Sequence, residues 1–260
     1  MKTNTSIAVV VNFKYAWRHL HNFIYEIRHV GKYYGDIVIV TGKFTPLFFL
    51  KILRDDSKIK IFRFSKIVLS NNAKKRLAET KFNDQPNRFE TKKFQWHKLH
   101  LFDERLKAWN FIFYLDVNMK IHHDINPLLE LRKNNKLLAR ADSYPDYKKS
   151  LSSQFDKTIK GFEDLNDNFD LNVTNYFQTG LMFYDTSIIT NNTKNEIINL
   201  VEKYPLSVTN EQGIMNIYFI FIKKCYLEFP EKIDEKITYF YWMIKDKEII
   251  ITKQGVEKYK

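Results

Sequence analysis

The chain lacks the features that mark disulfide-bonded, membrane-spanning and zinc-finger proteins. Among its 260 residues there is a single cysteine, Cys225, which excludes an intramolecular disulfide framework and a metal site made of several cysteines. The apolar run from Ile7 to Val11 is too short for a secretion signal or a spanning helix, and no other run approaches membrane length. We therefore expect a soluble protein of a reducing compartment, the cytoplasm, without a transmembrane segment.

Positive charge is in excess, since 42 lysines and arginines stand against 30 acidic residues and the net charge is +12. Such an excess favours polyanionic partners, among them nucleic acid, an anionic membrane surface and phosphorylated small molecules. The basic residues are scattered, however, and form neither an arginine-rich arm nor a zinc-finger pattern. Specific nucleic-acid binding is therefore disfavoured, and much of the lysine is expected to form a solvated surface.

Apolar runs and helical spacing alternate along the first third of the chain. Strands are predicted for residues 6–13, 36–41 and 58–64, and helices for residues 16–30 and for Pro46 to Leu53. This β-α-β-α-β order predicts an α/β fold, with a mostly parallel central sheet and helices on both faces. Because 44% of the residues are hydrophobic, the chain can bury a large core, and a single domain is expected.

Two polar segments interrupt the regular elements of the remaining chain. Residues 71–88 are predicted to form a helix and a mobile loop, and residues 143–174 a lid or acceptor loop. A further helix, residues 95–109, is predicted from the apolar face formed by Trp96, Leu99, Phe102, Leu106 and Trp109. Strands are also predicted for residues 111–116, 136–142 and 176–184, and helices for residues 195–204 and 211–220.

The strand that ends at Asp116 is the most informative of these elements. Asn118 follows two residues later, and the two-residue period of a strand turns both side chains to one side while Val117 points away. Oxygen ligands at the end of a central strand can hold a hard divalent cation, which can in turn bind a diphosphate. The alternative is that Asp116 simply closes the strand as a cap or turn residue.

Five short patterns follow one another in a fixed order. They are Val11-Asn-Phe-Lys-Tyr15, Lys98-Leu-His100, Asp116-Val-Asn118, Tyr176-Phe-Gln-Thr-Gly-Leu-Met182 and Asn210-Glu-Gln-Gly-Ile-Met-Asn216. In this order the chain resembles the retaining glycosyltransferases of the GT-A fold, the group of glycogenin and the bacterial lipopolysaccharide galactosyl- and glucosyltransferases. The resemblance extends over roughly residues 6–220.

The resemblance implies a Rossmann-like GT-A domain over residues 1–260. Its nucleotide-binding half would extend to about residue 120 and its acceptor-side half would follow. It implies transfer of a sugar from a nucleotide sugar, a UDP-sugar above all, to a glycan or protein acceptor with retention of configuration. At the end of the first strand, Val11 and Asn12 are implied to meet the nucleotide and Tyr15 to lie by the uracil ring. Tyr15 has a structural alternative, packing on the helix that follows.

For the metal site, the resemblance implies that Asp116 is the first acid of an Asp-x-Asp motif that ligates manganese on the donor diphosphate. Asn118 replaces the second acid, and an amide oxygen can ligate a cation but neutralises it less. The family's usual metal-binding histidine is missing from the comparable C-terminal stretch, residues 249–255. His122 and His123 are candidate substitutes, with a surface or capping role as their alternative, so the need for manganese or magnesium stays open.

Lysines can share the neutralisation of a leaving diphosphate. Lys98 resembles a family lysine at the donor site, with a solvated surface lysine as the alternative, and Lys253 is a weaker candidate for a diphosphate contact. The resemblance also implies that Val117 contacts the donor.

The two remaining patterns are implied to surround the sugar. Gln178, Thr179 and Gly180 match a turn that approaches the sugar, where glycine permits close backbone approach or a positive φ. Glu211 and Gln212 match an acid-amide pair at the reacting centre, and such a carboxylate can stabilise developing oxocarbenium charge. Gln178, Glu211 and Gln212 are thus the candidate catalytic residues. For Glu211 the alternative is a helix start capped by Asn210. Asp142 resembles an acid of the sugar pocket.

Two further functions stay open at this point. The altered Asp-x-Asp motif and the missing histidine are also compatible with a GT-A scaffold that binds nucleotide or glycan without turnover. Net charge alone supports a basic adaptor for nucleic acid or a membrane surface.

Overall fold

The computed structural model describes residues 4–46, 56–81, 88–142, 149–241, 243–244, 247–253 and 257–258. Seven strands form a central sheet and four form a smaller second sheet, with one further pair of short strands. The strands are β1 (Thr5–Val11), β2 (Asp36–Gly42), β3 (Ile59–Phe64), β4 (Phe111–Leu115), β5 (Lys120–Ile121), β6 (Leu137–Ala141), β7 (Phe177–Asp185), β8 (Tyr226–Glu228), β9 (Lys232–Ile233), β10 (Lys236–Phe240), β11 (Met243–Ile244), β12 (Ile249–Thr252) and β13 (Glu257–Lys258).

The central sheet has the order β3-β2-β1-β4-β7-β6-β8. Strands β1 to β4 run parallel to one another, as their predicted alternation with helices requires. β7 runs antiparallel to both β4 and β6, whereas β8 is again parallel to β6. The predicted α/β fold with a mostly parallel central sheet is therefore confirmed.

Helices connect these strands, and most predicted helices are present. They are α1 (Phe13–Tyr15), α2 (His21–His29), α3 (Asn71–Glu79), α4 (Arg88–Thr91), α5 (Asn126–Leu129), α6 (Phe162–Asn168), α7 (Thr193–Lys203) and α8 (Glu211–Asn216). A π-helical stretch, Ala16–Leu20, joins α1 to α2, and a second, Ile217–Ile222, continues α8. The helix predicted after Pro46 lies outside the described residues, as do residues 82–87 and 143–148 of the two predicted loops.

The segment that leads into β4 is helical, but it is not the α-helix that the sequence predicts. It consists of two 3-10 helices, Lys93–Phe102 and Glu104–Ala108. The apolar residues Trp96, Leu99 and Phe102 recur at every third position, which is the period of a 3-10 helix with three residues per turn. An α-helix would place them on one face as well, so this spacing does not distinguish the two helix types.

Apolar side chains cover both faces of the central sheet, since successive residues of a strand point to opposite sides. In β4, Ile112 and Tyr114 belong to one apolar cluster, and Phe113 and Leu115 belong to the other. Helices α3, α7 and α8 contribute to the first cluster, and α2 and α5 contribute to the second. Among the described residues, no helix is long and apolar enough to span a membrane.

The second sheet, in the order β5-β12-β10-β9, returns the end of the chain to the tip of β4. β5 begins two residues after Asn118, and β12 pairs antiparallel with it, so that Ile251 lies opposite Ile121. Lys253 directly follows β12, and its backbone N–H donates to the carbonyl of Phe240 at 3.0 Å. This pairing is what brings Lys253 to the candidate site.

Candidate active site

The candidate site lies at the carboxyl end of β4, where Asp116 leaves the central sheet. Because β7 runs antiparallel to β4, the first residues of β7 lie beside Asp116, and the Asp116 N–H donates to the Gly180 carbonyl at 2.9 Å. Asp116 also begins a turn, since its own carbonyl accepts the N–H of Met119 at 3.0 Å. A turn role and a site role therefore hold together.

Lys98 occupies the centre of the site. Its Nζ lies 3.2 Å from Oδ1 of Asp116 and 3.1 Å from Oε1 of Glu211. It also donates to the Thr179 hydroxyl at 3.2 Å and to the Thr179 carbonyl at 3.3 Å. Lys98 is 6% exposed, so it is not the solvated lysine of the alternative interpretation. One ammonium group thus connects four elements: the 3-10 helix, the tip of β4, the start of β7 and the start of α8.

Both oxygens of the Asp116 carboxylate have partners. Oδ1 faces Lys98 and accepts from the hydroxyl of Tyr114, while Oδ2 contacts Nζ of Lys253. Burial, and then the Glu211 carboxylate, hold the pKa of Tyr114 well above its usual range, so this hydroxyl keeps its proton and donates it to Asp116. Burial, and then the charges of Lys98 and Lys92, hold the pKa of Lys253 well below its usual range, although its Nζ contacts the Asp116 carboxylate.

Glu211 is almost fully buried, with 1% of its surface exposed. Its Oε1 accepts the Thr179 hydroxyl at 3.0 Å in addition to facing Lys98, whereas Oε2 has no hydrogen-bond partner in the part of the chain that the structure describes. A buried carboxylate oxygen without a donor is a strong acceptor site. Asn210 precedes α8 with a φ of 57°, and its side chain does not cap the helix. Instead, its amide donates to the side-chain oxygen of Gln95 at 2.7 Å.

Gln212, Gln154 and Asp142 form a second polar chain beside this cluster. The Thr179 N–H donates to Gln212 Oε1 at 3.2 Å, and Gln212 Nε2 donates to Gln154 Oε1 at 2.9 Å. Gln154 Nε2 in turn lies 3.4 Å from Oδ2 of Asp142. Burial raises the pKa of Asp142, and hydrogen bonds from Gln178 and from a nearby tyrosine oppose the rise.

Two adjoining cavities open on these groups. The smaller, of about 480 Å³, is lined by Asn12, Tyr15, Val117 and Asn118, among others. The larger, of about 900 Å³, is lined by Asp142, Gln178, Thr179, Gly180, Glu211 and Gln212, among others. The residues that line both are Lys92, Gln95, Lys98, Asp116, Tyr241 and Lys253.

Within the smaller cavity, the predicted nucleotide contacts differ in how accessible they are. Tyr15 is 44% exposed, and Asn12 caps α1 by accepting the Tyr15 N–H at 2.8 Å, which leaves its side-chain NH₂ as the group to meet a ligand. Val11 does not line this cavity: its side chain is sealed in the core and its carbonyl accepts the Thr41 hydroxyl, whereas Val10 does line it. Val117 lines the cavity but is itself nearly buried, with 5% of its surface exposed, and it packs in the core.

At Gly180 a side chain would be tight against one neighbour, the flexible end of Met119, and in ordinary van der Waals contact with two others. A Cβ at this position would lie 3.2 Å from Cε of Met119, 3.4 Å from Oδ2 of Asp116 and 3.5 Å from Nζ of Lys253. The φ of Gly180 is not positive, so its backbone conformation does not call for glycine. The close contact with Met119 is the reason that remains.

The residues at the tip of β4 do not fit a divalent metal in the way the family resemblance implies. Hard cations require several oxygen ligands, but here both Asp116 oxygens face ammonium or hydroxyl groups. His122 Nε2 instead lies 3.0 Å from the Thr252 hydroxyl. Across the described ranges, no group of three or more histidine, cysteine, aspartate or glutamate side chains, with His123 included, is arranged to hold a metal ion.

Sequence reasoning missed several residues that the structure brings into the site. Tyr114 is an aromatic residue within a buried strand, and Gln154 lies in a polar segment without periodicity, so neither carries a local signal. Tyr239, from β10, donates its hydroxyl to Gln178 Oε1 at 3.1 Å. Lys92 also lines both cavities. The sequence signal that could have indicated it is the concentration of basic residues between Arg88 and Lys98.

The chain is similar to known proteins in structure rather than in sequence. No family model and no curated protein sequence matches the chain. The galactosyltransferase LgtC, solved with donor and acceptor sugar analogues, is similar with a TM-score of 0.61 and 10% identity, over 96% of this chain and 87% of LgtC. Mouse xyloside xylosyltransferase 1 has a TM-score of 0.52 and 10% identity, over 97% of both chains.

The bifunctional glycosyltransferase WbbM matches all of this chain, with a TM-score of 0.56 and 16% identity. This chain spans 47% of the length of WbbM. At such identities the likeness establishes the fold, and these structural neighbours are GT-A glycosyltransferases. The chain therefore has the GT-A fold, as the resemblance of its motifs implies.

Proposed function

We propose that this protein transfers a sugar from a nucleotide sugar, a UDP-sugar, to a glycan or glycoprotein acceptor with retention of configuration. The observation that supports this most is the buried cluster of Lys98, Asp116, Thr179 and Glu211. Lys98 and Asp116 line both cavities, whereas Thr179 and Glu211 line the larger one. Two adjoining sites with a charged wall between them suit a reaction in which a bond is exchanged between a donor and an acceptor.

In this proposal the smaller cavity holds the nucleotide. The exposed ring of Tyr15 is available to stack on the base, and base–aromatic stacking contributes about 1–3 kcal/mol in other nucleotide complexes. The amide of Asn12, at the carboxyl end of β1, supplies a hydrogen-bond donor to the base. The mannosyltransferase Ktr4p of S. cerevisiae has been solved with GDP, so the choice of base is part of the test.

The lysines between the cavities would stabilise the leaving nucleoside diphosphate. As the glycosidic bond of the donor breaks, negative charge develops on the diphosphate, and cations aimed at that position lower the barrier. Lys98 and Lys253 both contact Asp116, and Lys92 lines the same wall. Because Lys98 is buried and held by two carboxylates, its ammonium is oriented before the substrate arrives.

The larger cavity would hold the sugar and the acceptor. Asp142 and Gln178 offer hydrogen bonds to sugar hydroxyls, and Gly180 allows the sugar to approach the backbone of β7. Glu211 and Gln212 lie at the reacting centre in this proposal, where the negative charge of the buried Glu211 carboxylate stabilises a developing oxocarbenium ion. Retention is inferred from the family resemblance, and the anomeric configuration of the product tests it.

The test is incubation of the protein with a panel of UDP- and GDP-sugars, followed by nucleotide release and by NMR of the sugar product. We expect release of UDP from at least one UDP-sugar. In the Asp142→Asn variant, UDP affinity should stay within about twofold while turnover falls about 10- to 150-fold, as expected for loss of a charged hydrogen bond. Lys236→Met, which removes an exposed lysine of the second sheet, is the matched control.

The outcomes separate the candidate functions. Failure of every nucleotide sugar to bind or react at millimolar concentration would contradict the proposal. Binding without any turnover would identify the scaffold function instead. Salt-sensitive binding to duplex DNA or anionic vesicles, unaffected by nucleotide sugars, would favour the basic adaptor.

A further inference from the structure

We propose that the ammonium group of Lys253 takes the place of the divalent cation at this site, so that the protein binds a nucleoside diphosphate without a metal. The inference rests on the proposed function, because it concerns how the same donor site holds its diphosphate. It differs from what the family resemblance implies, which is a manganese ion bound by Asp116. It is carried by the contacts of Asp116, by the position of Lys253 and by the balance of charge.

Both carboxylate oxygens of Asp116 already have positively charged or hydrogen-bonding partners. Its Oδ2, which lies toward Gly180, is in contact with Nζ of Lys253, and its Oδ1 faces Lys98 and Tyr114. A metal bound to either oxygen would have to displace an ammonium group or a donated hydroxyl. The ammonium at Oδ2 therefore already provides the positive charge that a cation would bring.

The fold holds Lys253 in place. It follows β12 directly, and its backbone N–H donates to the Phe240 carbonyl of β10 at 3.0 Å. β12 itself is paired on one side with β10 and on the other with β5. The side chain is 17% exposed, and its Nζ lies within van der Waals distance of the Gly180 position. A lysine anchored in this manner is part of the site rather than a surface residue that happens to reach it.

The formal charges at the tip of β4 also balance without a divalent cation. An Asp-x-Asp motif with Mn²⁺ has two negative charges and two positive charges, which sum to zero. Here Asp116 supplies one negative charge, Asn118 supplies none and Lys253 supplies one positive charge, which also sum to zero. The loss of the second acid and the replacement of a divalent cation by a monovalent one therefore compensate each other.

Asn118 acquires a different role under this arrangement. It lines the smaller cavity, where the diphosphate is proposed to bind. A carboxylate at this position would repel a phosphate unless a metal lay between them, whereas a carboxamide can donate two hydrogen bonds directly to phosphate oxygens. Asparagine is thus better suited than aspartate to a site in which lysines contact the diphosphate.

The experiment is calorimetric titration of the full chain with UDP, once with EDTA and once with excess Mn²⁺. We expect dissociation constants that agree within about twofold. Lys253→Met should raise the dissociation constant about 10- to 100-fold in both conditions, as expected for loss of a charged hydrogen-bond donor. Lys253→Arg, which keeps the cation, should bind within a few-fold of the natural chain, and Lys236→Met should bind unchanged. Thermal unfolding of each variant checks that it is folded.

Each outcome has a distinct meaning. UDP binding that is abolished by EDTA and restored by Mn²⁺ would overturn the inference and leave the proposed function standing. Absence of UDP and GDP binding in both conditions would overturn both. Unchanged affinity in Lys253→Met would overturn the role of this lysine. If Lys253→Met does not fold, the EDTA comparison on the natural chain still tests whether UDP binding needs a metal. The Lys253→Arg titration still tests whether another cation at this position supports binding.

Discussion

Replacement of Lys98 by methionine should destabilise the protein by about 3–5 kcal/mol, the range measured when one partner of a buried ion pair is removed. Methionine preserves much of the volume of the lysine stem but removes the ammonium that lies 3.1 Å from Glu211. Glu211 is 1% exposed and, among the described residues, would keep only the Thr179 hydroxyl as a donor. Asp116 is affected less, because Lys253 and a tyrosine hydroxyl stay in contact with it.

Urea denaturation at neutral pH, followed by circular dichroism, measures the effect. The double variant Lys98→Met with Glu211→Gln removes both charges, and we expect it to recover most of the loss, which gives the coupling energy from a double-mutant cycle. Lys236→Met, which breaks an exposed pair with Glu248, should change stability far less. A loss below about 1 kcal/mol for Lys98→Met, or strictly additive single effects, would refute the reasoning.

Two further predictions concern Gly180 and the two buried histidines of the 3-10 helix that carries Lys98. Gly180→Ala inserts a methyl group 3.2 Å from Cε of Met119, which must shift by a few tenths of an ångström, and in van der Waals contact with Asp116 and Lys253. It should weaken UDP binding in calorimetry while changing the unfolding temperature little; unchanged affinity would contradict the role of this close packing. Burial lowers the pKa of His97 and of His100 to about 4. Because the unfolded chain protonates these rings near pH 6.5 and the folded chain does not, stability should fall as pH drops from about 6.5 to 4, by on the order of 3 kcal/mol for each ring. Urea denaturation between pH 4.5 and 8 checks this, with a shallower decline expected for His100→Gln; an equal slope in that variant would contradict it.

The strands were predictable because central strands of a parallel sheet are buried on both faces and therefore carry continuous apolar runs. The predicted strand at residues 6–13 corresponds to β1, and the run ending at Asp116 corresponds to β4. The helix type before β4 was not predictable in the same way. A three-residue repeat of apolar residues suits α and 3-10 geometry equally, and only packing on the sheet distinguishes them.

The candidate site was predictable to the extent that its residues lie in short local patterns. Lys98, Asp116, Thr179 and Glu211 each come from a different pattern, and the structure brings all four together. The contact of Lys253 with Asp116 carries no such pattern, since the two residues are 137 positions apart. Tyr114 likewise has the local appearance of an ordinary core residue.

By itself, then, the sequence determined which chemical groups the chain possesses and which of them follow a buried strand or open a helix. These properties depend on neighbours along the chain, through periodicity and local propensity. The sequence also shows that Asn118 stands in place of a second carboxylate, but tertiary structure alone decided that the ammonium group of Lys253 faces the tip of β4. That choice depends on the pairing of β12 with β5, a contact between distant segments that burial and strand pairing stabilise and that no local pattern encodes.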